Sequence, residues 1–155
     1  ADSATNTFYL NELSIGSPFM ADLSLSFTLG NLNISDVDQV MENPFAITIH
    51  NANLTYLDHS LMHKVFEMAA ADEQMTVEAF KQEGLQELDM ELANAQQAGD
   101  QAAVPVIEAL KAFIMSPDKL VIDISPAQPV PAAILMGIQD FTMAVQQLGL
   151  SVSTQ

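Results

Sequence analysis

The hydrophobic positions of this chain change rhythm near Asp58, and that change organises the rest. Over Phe45–Asp58, Ile47, Ile49, Leu54 and Tyr56 recur mostly two apart, the period of a half-buried strand. Beyond it, Leu61, Met62, Val65, Phe66 and Ala69 recur three and four apart, as one face of a helix does. A strand that feeds directly into a helix predicts an apolar sheet face with helices laid over it.

Upstream, Thr7–Ile15 predicts a first strand in which the apolar phase switches between Leu10 and Leu13, the mark of a bulge or break. Gly16-Ser-Pro18 is turn chemistry. Leu23–Leu29 alternates cleanly, with Leu23, Leu25, Phe27 and Leu29 on one face and Ser24, Ser26 and Thr28 on the other. That is the pattern of an antiparallel strand with one wet face. Leu32 and Ile34 resume it, and Ser35 or Asp36 would cap a short helix over Val37–Met41 that Pro44 ends. Leu25-x-Phe27 with Leu32, Ile34, Asp36 and Val40 is repeated 22 residues on, by Ile47-x-Ile49 with Leu54, Tyr56, Asp58 and Met62. This is the footprint of a duplicated strand unit within residues 23–62.

Downstream, a first helix is predicted over Ser60–Ala71. Thr76 caps a second, which Gly99-Asp100 breaks. Val77, Phe80, Leu85, Leu88 and Leu92 form its apolar side, while Glu83, Glu87 and Glu91 line its outer face. A third helix carries Pro105 in its first turn and Val106, Leu110, Phe113 and Ile114 as its stripe. Lys119–Ser125 is a strand. Pro126, Pro129 and Pro131 keep the following piece extended along an edge. Pro131 opens a fourth helix, Ala132–Leu148, with Gly149 after its last turn, and Leu150–Thr154 closes as a short strand. The order predicts one α+β domain over residues 1–155, with a mainly antiparallel sheet and about four helices packed on one face.

The charge narrows the range of partners. The 155 residues hold twenty Asp and Glu against four Lys and Arg, a net charge of −16. Nucleic acid and anionic membrane surfaces both demand positive charge, so neither is expected as a partner. Arg is absent, which removes the bidentate clamp for phosphate and carboxylate substrates. There is no Cys, so no disulfide or thiolate metal site is available. The small polar start Ala1-Asp-Ser-Ala-Thr5, the missing Cys and the scarce Lys together lean towards an exported, periplasmic chain of a Gram-negative envelope.

His59, His63 and Glu67 are the sharpest chemical constellation. Their i, i+4, i+8 spacing would set two imidazoles and a carboxylate on one helix face as zinc ligands, given a fourth from elsewhere. The Glu of the H-E-x-x-H motif is lacking, and a polar outer helix face is the simpler account of the three. Asp36, Asp38 and Glu42 lack the Gly and the spaced oxygens of a calcium loop. His50 reads as a wet-face strand residue. No nucleophile elbow and no Gly-rich phosphate loop occurs, and no cofactor is expected. The nine Met residues serve either as core filler or as an adaptable apolar surface.

The run Ile47-Thr-Ile-His-Asn-Ala-Asn-Leu-Thr-Tyr-Leu-Asp-His-Ser-Leu61, together with Phe113-Ile-Met-Ser-Pro-Asp-Lys-Leu-Val-Ile-Asp-Ile-Ser-Pro-Ala-Gln-Pro-Val-Pro131, resembles the C-terminal region of uncharacterised proteobacterial cell-envelope proteins. The strand repeats are also loosely similar to those of AsmA-like envelope proteins. The resemblance implies export and a non-catalytic role, and it carries over no ligand and no site residue. The expectation is a non-enzymatic binding or assembly domain that engages a protein partner or a second copy of itself as a homo-oligomer. The alternative is a carrier holding lipid or another apolar small molecule between the sheet and the Met-rich helices. A metal-dependent hydrolase using His59 and His63 ranks last.

Overall fold

A computed structural model describes residues 6–32, 46–138 and 141–155. The fold is α+β, with a six-stranded antiparallel sheet and, among the described residues, four α-helices. Strands β1 (Phe8–Gly16), β2 (Ala21–Gly30) and β3 (Thr48–Asp58) come first. Helices α1 (Leu61–Asp72), α2 (Val77–Ala98) and α3 (Ala103–Met115) follow. The chain then returns through β4 (Lys119–Ile124) and β5 (Val130–Pro131), a 3-10 turn over Ala132–Met136, α4 (Phe141–Leu148) and β6 (Leu150–Thr154). The strand order is β1-β2-β3-β4-β6, and β5 pairs with β3 antiparallel, Thr48 opposite Pro131 and Ile49 opposite Val130. No helix among the described residues is long and apolar enough to cross a membrane.

The chain divides into two compact units whose boundaries fall within strands. One comprises Ala1–Leu13, Ser24–Leu54 and Ile122–Ser151; the other comprises Ser14–Leu23, Thr55–Val121 and Val152–Gln155. In the first unit Ile49, Val145 and Leu148 are buried, and Phe8 and Phe27 meet with ring centroids 6.0 Å apart. Ser24, Ser26 and Thr28 are half-buried, so the polar side of β2 is less wet than its alternation predicts. In the second unit α1 packs on α2 and α2 on α3 around Phe66, Ala70, Ala95, Val106, Ile107 and Phe113. Tyr56 meets Phe113 edge-to-face at 5.8 Å, which seats α3 on β3.

The helix limits follow from side chains that satisfy the free N–H and C=O groups at helix ends. Thr76 accepts from the Ala79 amide at 3.2 Å, and Gly99 closes α2 in the left-handed region. Asp100 accepts from the amides of Ala102 and Ala103, each at 3.2 Å, and so opens α3 ahead of Pro105. The single helix expected over Ala132–Leu148 is replaced by the 3-10 turn and the shorter α4. Gly137 ends the 3-10 turn, and the Ala132 amide is already spent on the Ile47 carbonyl at 2.7 Å, which ties the start of that segment to the sheet. The short helix over Val37–Met41, and with it half of the duplicated unit, lies outside the described residues.

Gly149 joins α4 to β6 with φ +59, and a Cβ there would run into the Ser125 carbonyl. Gly99 has φ +72 but open space around it. Gly99→Ala should therefore show the left-handed penalty alone, about 1–2 kcal/mol. Gly149→Ala should cost clearly more in urea unfolding, because strain and collision add. Equal losses would contradict the collision.

Candidate functional site

The joint between β3 and α1 gathers a cluster of hydrogen bonds in the second unit. The Met20 carbonyl accepts from the amides of His59, Ser60 and Leu61 at 2.9, 3.0 and 3.0 Å. The Ser60 hydroxyl donates to the Phe19 carbonyl at 2.6 Å instead of capping α1. That capping falls to Asp58, whose Oδ1 accepts from the Met62 amide at 2.9 Å and from the Tyr56 hydroxyl at 2.6 Å. The Asp58 amide donates to the Asp118 carbonyl at 2.7 Å, tying in the chain ahead of β4. The turn of the β1–β2 hairpin is itself closed by Met20 N–H to Ser17 O at 3.0 Å and Ser17 N–H to Ala21 O at 2.9 Å. Its tip is thus clipped to the N-terminus of a helix, where free amides want an acceptor.

This clip fixes the position of an apolar surface. Phe19 is 79% exposed and Ile15 66%, and Leu13, Met20 and Leu23 are exposed beside them in sequence. Among the described residues β1 stands at one end of the strand order, and every residue from Asn11 to Gly16 is exposed. Scattered surface apolars need no explanation, but a run on one hairpin does. The sequence pattern sets Leu13 and Ile15 in the first strand after a phase break and Leu23 on the apolar face of the second, without marking the three as one exposed surface. The signal lay in the phase switch between Leu10 and Leu13, which sets Leu13 and Ile15 out of step with Phe8 and Leu10. Four methionines on the helical segments, Met68, Met90, Met115 and Met136, also point outwards, so core filling does not account for them.

The proposed metal ligands are divided. His59 precedes α1 rather than joining its face, because Asp58 and the Met20 carbonyl start the helix at Leu61. Its Nε2 lies 3.0 Å from Asp22 Oδ2, while His63 Nε2 pairs with Glu67 Oε1 at 3.2 Å. Among the described residues no three His, Asp or Glu side chains gather in a group able to hold a metal. Asp36, Asp38 and Glu42 lie outside the described residues. His50 is half-buried rather than wet, with its ring against Gly30. A cleft of about 310 Å3 in the second unit is lined by Glu73, Met75, Phe80, Glu83, Gly84 and Glu87.

The cations are largely committed within the fold. Lys81 lies 5.0 Å over the Phe66 ring, Lys111 pairs with Asp89 between α3 and α2, and Lys119 donates to Gln155 at 2.9 Å. Burial pushes the Tyr56 phenol well above its ordinary value of 10.0, and the hydrogen bond to Asp58 and its negative charge push it further.

A family model described as "Uncharacterized protein" matches residues 14–155, and the chain belongs to that family. No curated protein and no solved structure matches.

Asp58→Ala should destabilise the protein by about 1–3 kcal/mol, since it strands the Met62 amide and the Tyr56 hydroxyl together. Tyr56→Phe should cost less and add sub-additively to it in a double-mutant cycle. The phenol also sets an alkaline window. Its contribution is whole below the unfolded value of 10.0 and falls as pH rises towards the higher folded value, because the unfolded chain loses that proton first. Denaturation followed across that window should find the loss smaller in Tyr56→Phe than in the parent.

Proposed function

We propose that this chain is a non-catalytic, exported binding or assembly domain of a bacterial cell envelope, and that the β1–β2 hairpin is where it meets a protein partner. The exposed apolar run carries this reading, with Phe19 and Ile15 at its centre. Burying two side chains of that size is worth about 3–6 kcal/mol before the costs of association, enough to make the hairpin the energetic centre of a contact. The turn is held by the helix N-terminus, so little ordering cost falls on the moment of binding. Outward-facing methionines add a surface that adapts to a partner's shape. The lack of Arg supports a role other than handling anionic metabolites.

The test is a photo-crosslinking amino acid placed at Phe19 in the native host, with one at the exposed Met90 on α2 as control. The proposal expects a discrete protein adduct from position 19 that Ile15→Asn removes without lowering thermal stability. No protein adduct from position 19, or equal adducts from both positions, counts against it.

A further inference from the structure

The hairpin offers more than side chains. Among the described residues β1 runs for 9 residues at one end of the strand order, and its Asn11–Gly16 portion is exposed throughout. Edge strands are normally guarded by Lys, by Pro or by shortness, because their backbone is a template for another strand. β1 holds no Lys and no Pro. Cations are scarce more widely still, since the first Lys of the whole chain is Lys64 and there is no Arg at all. The strands β1, β2 and β3 therefore carry carboxylates and no lysine or arginine.

We propose that the edge of β1 accepts an extended segment of another protein in which apolar residues alternate with Lys or Arg. The inference rests on the reading of the hairpin as a partner-binding surface and adds the chemistry of the partner. Leu13 and Ile15, two apart, share one side of β1, and Glu12 and Ser14 share the other. An added strand would lay its apolar side chains beside Leu13 and Ile15 and its cations beside Glu12, whose carboxylate already accepts from the Ser24 hydroxyl at 3.4 Å and would take the cation in addition. Charge selects this occupant over a second copy. Two copies bring −16 against −16 and pair two edges that both lack cations, whereas a basic strand meets attraction at long range and at the contact. The main chain supplies binding energy through added ladder bonds, and the alternate side chains supply choice.

The purified chain is titrated with three synthetic peptides of β1's length: alternating Val and Lys, alternating Val and Glu, and the Val-Lys peptide interrupted by a central Pro. Amide hydrogen exchange resolved by residue is the readout. The proposal expects the Val-Lys peptide to slow exchange within Asn11–Gly16, to bind about tenfold more weakly when salt is raised, and to be weakened by Glu12→Lys. The other two peptides should not protect β1. Protection of α2 without β1 would mean general adhesion to acidic helices and overturns the proposal. So would protection of β1 in the free protein that grows with its own concentration, since the occupant is then a second copy. Binding to phosphatidylcholine vesicles through Phe19 with no peptide protection overturns it as well, in favour of a lipid surface. Adducts at Phe19 in the cell combined with no peptide protection would leave the partner-binding surface standing and remove only the added strand.

Discussion

A single carbonyl carries much of this structure. Met20 O sits where α1 begins and takes the amides of His59, Ser60 and Leu61, while Asp58 takes the next one, from Met62. A helix N-terminus leaves donors that must be satisfied, and here most of the acceptors come from outside the helix. The change from strand to helix at Asp58 is thus made by tertiary contact as much as by local sequence. Ser60, which stands at the capping position, turns its hydroxyl to the Phe19 carbonyl instead. The same contacts that start α1 therefore hold the tip of the β1–β2 hairpin in place.

The surface follows from that constraint. A hairpin whose turn is pinned can present Phe19 and Ile15 to solvent without collapsing onto the body to hide them. The acidic character of the chain works in the same direction. Three of the four lysines are engaged within the fold, by a ring, a carboxylate and an amide, so the outward field is set by carboxylates. A field of that sign opposes the approach of anionic molecules in general, and on the proposed reading it draws basic partners. His59 and His63 stand apart, each beside its own carboxylate, Asp22 and Glu67.

Much of the fold could be read from the residues. The strand through Leu23–Leu29, the cap at Thr76, the stop at Gly99 and the closing strand after Gly149 are local features with local causes, and all of them are present, although burial along that strand does not alternate as its sequence does. What escaped the sequence depended on distant contacts. Nothing in Ala132–Leu148 announces that the Ala132 amide belongs to Ile47, so one helix was expected where a 3-10 turn and a shorter helix stand. His59 was given a helical register because its acceptor neighbours, Met20 and Asp22, are far away along the chain. The exposed hairpin was the costliest miss. An apolar residue in strand phase looks the same whether it faces a core or a partner, and only the break in phase after Leu10 distinguished them.

The claim that the hairpin turn and α1 form one bonded unit is tested most directly by native-state hydrogen exchange at the amides of His59, Ser60, Leu61 and Met62. These four are predicted to be protected nearly as well as the amide of the buried Phe66 in the middle of α1, and to open together with those of Ser17 and Met20. Free exchange at these four, in the manner of a fraying helix end, while Phe66 stays protected, would contradict the account.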